Sequence, residues 1–206
     1  MPDPSQPPGA RSGRGGRPRD PSRDGAIRAA ILQVLAESGY SGLTMDAVAA
    51  AAGVGKATIY RRWRTKSDLV ADAVTELSRM SIEAPDTGSL EGDLRVLMRW
   101  LVGAVNGPLG AATVALLSAL PHEPGLREAF HSGPLLVWTS TFAQAWERAE
   151  LRGEVQPPAS GTAVASIASA PILQRWLFSG HAVSEAFADE VLAEVVLPLV
   201  TARKVA

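Results

Sequence analysis

The residues of this chain that are best equipped for chemistry form a short basic segment, KATIYRRW, at positions 56–63. Ile59 and Trp63 are four residues apart, so a helix of 100° per residue places both on its inner face. The opposite face then carries short residues at the start of the helix and arginines beyond them. A helix with this arrangement can enter the major groove of DNA.

The outward side chains of this helix differ in the DNA groups that they can recognise. Ala57 or the methyl group of Thr58 can contact a thymine methyl, and Lys56, Thr58 or Arg61 can hydrogen-bond base edges. The other polar and basic side chains nearby are better suited to the phosphate backbone. The predicted phosphate-binding residues are Thr44, Tyr60, Arg62 and Lys66.

The surrounding sequence predicts the elements that hold this helix in place. Thr44 can cap a short helix that precedes it, and Gly53 can form the sharp turn between the two. The small side chains of Ala47 and Ala51 are expected to let the two helices approach closely. A capping box, T-x-x-D, at positions 65–68 begins a longer helix. The pattern is therefore a helix, a glycine-containing turn and a second helix.

The near-neutral net charge of −1 conceals two parts of opposite sign. Residues 1–66 hold eleven Lys and Arg against five Asp and Glu, a net charge of +6. Residues 67–206 hold nine against sixteen, a net charge of −7. A basic head on an acidic body predicts an anionic partner for the head alone, either nucleic acid or a membrane surface.

Several kinds of catalytic and metal site are absent from the sequence. There is no cysteine, which excludes disulfides, thiolate metal sites and a cysteine nucleophile. His122, His131 and His181 lack the spacing of a helical zinc site, and no G-x-S-x-G motif is present. We therefore predict no enzyme activity, no cofactor and no metal site.

One stretch, residues 100–120, has the length and the lack of charge of a membrane span. Asn106, Gly107 and Pro108 lie near its middle and are followed by Gly110, which favours a turn between two buried helices. The N-terminal segment has no apolar core of the kind that a secretory signal needs. We predict no membrane partner and a cytoplasmic protein.

Helical periodicity dominates after residue 23, and no segment shows sustained strand alternation, so the sequence predicts an all-α fold. Gly133-Pro134 and Pro171 are expected to kink or split helices in the second part of the chain. The expected helices there cover residues 89–106, 108–119, 124–152, 160–179 and 184–203. The predicted organisation is a disordered basic arm (1–23), a three-helix domain (24–66) and a larger helical domain (67–206).

The segment from residue 24 to residue 70 resembles the DNA-binding domain of the TetR/AcrR family of bacterial transcriptional regulators. The resemblance rests on Thr44, Val48-Ala49, Ala52-Gly53-Val54, Ile59-Tyr60, Trp63, Lys66 and Leu69. Trp63 stands where phenylalanine is more usual, and Arg64 stands where a proline or a small residue is frequent. The resemblance covers about a quarter of the chain, and the remainder has the helix count and length of the family's regulatory domain.

This resemblance implies a homodimer that binds a roughly palindromic double-stranded DNA operator. A two-fold dimer doubles the few base pairs that one short helix reads. The apolar helices near the C-terminus supply a candidate interface, because Arg175 is the only formal charge between Glu154 and Glu185. The predicted interface residues are Ile167, Arg175, Phe187, Val191 and Val195.

The resemblance also implies a small-molecule effector bound in the larger domain. Trp138, Phe142 and Trp146 form an aromatic stripe at helical spacing, which suits a largely apolar cavity. The remaining candidate pocket residues are Met98, Trp100 and Gln174. The predicted function is a ligand-responsive repressor, associated with the bacterial nucleoid and released from its operator by a hydrophobic or amphipathic effector. The alternatives are an architectural DNA-binding protein without an effector, and a ligand-binding or enzymatic helical protein with an incidental basic head.

Overall fold

The computed structural model describes the backbone of residues 21–78 and 83–205, and the side chains of residues 24–76 and 83–201. All regular structure in these ranges is helical, which confirms the predicted all-α fold. The predicted basic arm lies outside the described residues from position 1 to position 20. The domain boundary at residue 66 stays a prediction.

The described chain forms twelve α-helices and two π-helical segments. The first four helices, which we call the head, are α1 (Pro21–Gly42), α2 (Met45–Ala51), α3 (Lys56–Arg62) and α4 (Lys66–Ser78). The remainder, residues 83–205, is called the body. Its helices are α5 (Leu90–Asn106), α6 (Pro108–Leu117), α7 (Pro124–Phe130), α8 (Leu136–Leu151), α9 (Ala163–Ile167), α10 (Ala170–Ser179), α11 (Glu185–Val191) and α12 (Leu197–Val205). A first π-helical segment (His131–Leu135) joins α7 to α8, and a second (Leu192–Val196) joins α11 to α12.

Breaks in the body follow the predicted prolines and glycines only in part. The first π-helical segment contains Gly133-Pro134, as expected, and Gly133 departs from helical torsion angles. The helix expected over residues 160–179 is split into α9 and α10, as Pro171 predicts, and Pro171 lies in the first turn of α10. Proline is tolerated there because a first-turn N–H has no intrahelical partner. The second π-helical segment contains no proline or glycine, but Pro198 follows it in the first turn of α12. Pro198 has no N–H to donate to the carbonyl oxygen of Glu194, four residues earlier, which accounts for the wider turn.

The core of the head extends into the body. Ile27 and Ile31 of α1 and Ile59 of α3 lie in one buried cluster with Leu116 of α6 and Leu126 of α7. All five side chains are 2% exposed or less. Burial of apolar side chains is the main favourable term in folding, so α6 and α7 help to stabilise the head as well as the body.

A second buried cluster holds the body together around α5, α8 and α11. Leu94 and Leu97 of α5 pack there with Trp146 of α8 and Leu192 at the end of α11. The chain passes from this cluster to the head at the corner between α5 and α6, which are bent by 69°. A Cβ atom on Gly110 would lie 1.9 Å from the carbonyl oxygen of Val105, so this corner requires glycine.

No single described helix is long and apolar enough to cross a membrane. The bent pair of α5 and α6 meets the criterion of length and composition when the two helices are counted together. Leu94, Leu97 and Leu101 of α5 are buried inside the protein.

The close approach at the α5–α6 corner predicts opposite effects for two alanine substitutions. Gly110→Ala is expected to lower the free energy of unfolding by about 1–3 kcal/mol, because the new methyl group meets backbone that moves only if the helices separate. Gly103→Ala is the matched control, since nothing lies within 4 Å of the position that its Cβ atom would take and alanine favours helix. It is expected to raise the free energy by roughly 0.5–1 kcal/mol. Urea unfolding at one protein concentration measures both, and equal stability of the two variants would contradict this account of the corner.

Candidate nucleic-acid interface

The turn between α2 and α3 has the predicted local geometry. Thr44 caps α2, and its Oγ1 accepts a hydrogen bond of 3.1 Å from the N–H of Ala47. Gly53 has a φ of +63°, a region that favours glycine. Ala47 packs against the core of the head, whereas Ala51 is exposed and does not bring the helices together as expected. Ala49, midway between the two predicted residues, is buried instead.

The face of α3 is oriented as the residue spacing predicts. Ile59 is fully buried and Trp63, at the C-cap, is 7% exposed. The opposite side points away from the core, and we call it the reading face. Its residues are Lys56, Ala57, Tyr60 and Arg61, all exposed. Thr58 is half-buried beside them.

Asp46 of α2, which sequence reasoning did not select, contacts two residues of the reading face. The Lys56 ammonium donates to its Oδ2 at 2.7 Å, and the Tyr60 hydroxyl donates to its Oδ1 at 3.2 Å. The hydrogen bond from Lys56 lowers the pKa of Asp46 and in turn raises the pKa of Lys56. Desolvation, followed by the hydrogen bond to Asp46, raises the pKa of Tyr60. All three groups therefore keep their ordinary ionisation state at neutral pH.

Two of the predicted phosphate-binding residues also have partners within the protein. Arg62 forms an ion pair with Asp24 in the first turn of α1, and its guanidinium lies 4.3 Å from the centre of the Trp63 ring. The Lys66 ammonium donates to the carbonyl oxygen of Tyr40 at 2.9 Å and lies over the Tyr40 ring. These contacts fasten α3 and α4 to the two ends of α1.

Arg61 and Arg64 differ from these two residues. Both are exposed, and within the described ranges neither takes part in an ion pair. Their guanidinium groups remain available to an external anion. The head thus presents free arginines beside basic groups that intramolecular contacts hold in place.

The candidate effector residues lie mainly in the core of the body. Trp146, Met98 and Phe142 are buried, and Trp138 meets Phe142 edge to face with ring centres 6.3 Å apart. Trp100 is half-buried against the same cluster. Gln174, the sixth candidate, is exposed on α10.

The candidate dimer residues divide between surface and core. Arg175 is exposed on α10, and its guanidinium lies 3.9 Å from the centre of the Phe187 ring on α11. Val195 is 39% exposed, and Ile167 is half-buried. Val191 is 4% exposed because it belongs to the core of its own chain.

Two known families account for most of the chain. Residues 27–73 match bacterial regulatory proteins of the tetR family, and residues 84–195 match the tetracyclin repressor-like C-terminal domain. The second match alone covers more than half of the chain. The chain belongs to the TetR family. This TetR-family protein is therefore a DNA-binding transcriptional regulator whose helix-turn-helix lies in the head.

Individual relatives agree with this assignment. The DNA-binding transcriptional repressor TetR of Mycobacteroides abscessus is 31% identical over 183 residues, 88% of this chain and 96% of the relative. An uncharacterised HTH-type transcriptional regulator of Mycobacterium tuberculosis is 30% identical over 189 residues, 90% of this chain and 93% of that one. The matched families contain regulators, and no enzyme family is indicated.

Solved structures show the same fold. The transcriptional regulator FadR from Bacillus subtilis, in complex with stearoyl-CoA, superimposes with a TM-score of 0.70 at 19% identity. The alignment covers 84% of this chain and 97% of that one. At this identity the similarity concerns the fold of a TetR-family protein.

Proposed function

We propose that this TetR-family regulator is a repressor, a homodimer that binds a roughly palindromic operator and leaves it when a small hydrophobic or amphipathic effector binds. The observation that carries the proposal is the reading face, which buried Ile59 and Trp63 hold outward. This face includes the exposed guanidinium of Arg61, which has no ion-pair partner among the described residues. A short helix anchored in this way fits the major groove. The Mycobacteroides abscessus relative named as a repressor supports the direction of regulation. Since the partner is chromosomal DNA, we place the protein in the cytoplasm, at the nucleoid.

In this proposal the DNA contacts are those predicted from the sequence. Ala57, Thr58, Lys56 and Arg61 read bases, and the phosphate contacts come from four residues around them. Those four are Thr44, Tyr60, Arg62 and Lys66. Arg62 and Lys66 already pack on aromatic rings, so their guanidinium and ammonium groups are positioned before DNA arrives.

Exposed apolar side chains support the homodimer. Phe178 of α10 is 79% exposed and Leu151 at the end of α8 is 88% exposed. Val195 and Leu199, four residues apart, are also large apolar residues at the surface. Large apolar side chains exposed to water are candidates for burial against a partner, and aromatic residues are enriched at interfaces. We propose that these side chains, with Ile167, Arg175 and Phe187, form the dimer contact.

A narrow cleft beside Trp146 supports an effector site in the body. The cleft is nearly closed, with a cavity volume of about 10 Å³, so an effector must widen it on binding. Its lining comes from the end of α8, the loop after it, α9 and α12 and is formed by Trp146, Val155, Gln156, Ala159, Thr162, Val164 and Val200. The Glu150 carboxylate orders the loop by accepting hydrogen bonds from the N–H groups of Ala159 and Ser160.

Trp146 itself indicates the chemistry of the effector. Its indole N–H is buried and has no hydrogen-bond acceptor among the residues that the structure describes. An unsatisfied buried donor costs about 1–3 kcal/mol, so a ligand that supplies an acceptor gains this free energy on binding. We propose an effector with an apolar body and a carbonyl, ester or carboxylate oxygen. Its binding favours a state in which the cleft is wider.

Selection of DNA from a randomised library tests the function. Duplexes recovered with the wild-type protein are expected to share a palindrome, and the same palindrome is expected in a footprint on the gene's own promoter. Recovery of DNA without sequence preference would support the architectural alternative instead.

Substitution of Arg61 tests the role of the reading face on the selected duplex. Arg61→Ala is expected to weaken binding by at least about tenfold, the usual cost of losing an arginine that contacts a base, without lowering the melting temperature. Arg127→Ala, which removes an exposed cation from α7, is the matched control. Fluorescence anisotropy measures both. Equal losses for the two variants would contradict the assignment of α3 as the reading helix.

Substitution of Trp146 tests the effector site. Trp146→Phe keeps an aromatic ring and removes the N–H donor, so effectors that release the wild-type protein from DNA are expected to act about three- to tenfold less strongly. Trp176→Phe removes an indole that is half-buried on α10, outside the cleft lining, and is expected to keep the response. The effectors are found by screening apolar acids, esters and ketones for release of the selected duplex. An unchanged response of Trp146→Phe would remove this cleft from the proposal.

A further inference from the structure

Asp46 is joined to the reading face by its hydrogen bonds with Lys56 and Tyr60, which we call the bridge. The bridge affects how the protein distinguishes DNA sequences. Asp46 is the only acidic residue between positions 38 and 67, in the most basic part of the described chain. Its carboxylate contacts Lys56 and Tyr60, which are one helical turn apart on α3. A single anion on α2 therefore holds two of the groups that face DNA.

Lys56 and Tyr60 differ in the number of hydrogen bonds that each can still donate while it is bound to Asp46. The Lys56 ammonium has three N–H donors and gives one to Asp46, so two remain for an acceptor in front of the helix. The Tyr60 hydroxyl has one O–H donor, and the bond to Asp46 uses it. Lys56 can thus donate to a base edge without leaving the bridge, whereas Tyr60 can donate to a phosphate only by leaving it.

The bridge contributes little to folding, because all three side chains are exposed to water and to screening by salt. Its carboxylate is, however, a negative charge in contact with two side chains that face the DNA in the proposed complex. A phosphate that draws Lys56 or Tyr60 away must compete with Asp46 and approach a like charge.

We propose that Asp46 is a positioning residue for sequence readout, which holds Lys56 toward base edges and competes with phosphates for Lys56 and Tyr60. The phosphate contact proposed for Tyr60 on the operator is made by leaving Asp46. The inference rests on the proposed placement of α3 in the major groove. Binding to random DNA depends on phosphate contacts, so Asp46 weakens it. Binding to the operator uses base contacts that the bridge permits, so Asp46 preserves it. The ratio of specific to non-specific affinity rises as a result.

The test compares Asp46→Asn with wild type on two 30-base-pair duplexes, one selected by the wild-type protein and one of random sequence. On the random duplex the variant is expected to bind about three- to tenfold more tightly, because one more cation is available to phosphates. For the same reason, the slope of the logarithm of affinity against the logarithm of salt concentration is expected to be steeper by about one. On the selected duplex its affinity is expected to stay equal or fall. Asp72→Asn, an equal charge change at an exposed site on α4, is the matched control for long-range electrostatics.

Three results would overturn the proposal. The first is an effect of Asp46→Asn no larger than that of Asp72→Asn. The second is an equal gain in affinity on both duplexes, and the third is an equal loss on both, which would assign Asp46 a merely structural role. Circular dichroism melting confirms that each variant is folded.

A double-mutant background identifies the groups through which Asp46 acts. In the variant Lys56→Met/Tyr60→Phe, which lacks both donors, Asp46→Asn is expected to change affinity for the random duplex no more than Asp72→Asn does. A gain as large as in the wild-type background would overturn the proposal. If the wild-type protein itself fails to distinguish the two duplexes, the proposed function fails as well, which separates that failure from a failure of the Asp46 inference alone.

Discussion

The structure depends on one shared apolar core, in which helices of the body complete the packing of the head. Leu116 of α6 and Leu126 of α7 are almost completely removed from water, and they are buried against the same cluster as Ile31 of α1 and Leu69 of α4. Closely packed interiors transmit small displacements because they have few voids to absorb them. A movement of α6 or α7 therefore moves α1 and α4, and with them the reading helix that α1 fastens through Asp24 and Arg62.

Polar contacts fasten the first residues of the body to α8. Arg148 of α8 donates to the carbonyl oxygen of Pro85, and Arg152 pairs with Asp93, whose buried carboxylate also accepts from the backbone and hydroxyl of Thr87. The residues that follow α4 in sequence are thus tied to the helix that carries Trp146. Effector binding and DNA binding are coupled only as far as the effector distinguishes two states of the protein.

Local sequence predicts some of this architecture, because some contacts are made between near neighbours. The inner face of Ile59 and Trp63, the cap at Thr44 and the capping box, in which the N–H of Thr65 and the carboxylate of Asp68 are paired, all depend on residues within four positions of each other. The partners of Arg62 and Lys66 are 38 and 26 residues away, so spacing alone could not find them. Asp46 could have been selected from the sequence as the one acidic residue in a basic segment. Its contacts with Lys56 and Tyr60, however, depend on the angle between α2 and α3. The burial of Leu116 against the head has no local signal.

Hydrogen exchange of Leu116→Ala, with Leu117→Ala as its control, tests most directly whether the body completes the core of the head. Leu116 is 2% exposed and Leu117, its neighbour on α6, is 40% exposed. The shared core predicts that Leu116→Ala lowers the protection of amides in α1 and α4 more than in α11, while Leu117→Ala leaves all three near the wild-type level. Wild-type protection of α1 and α4 in Leu116→Ala, or a loss there no larger than in α11, would contradict it.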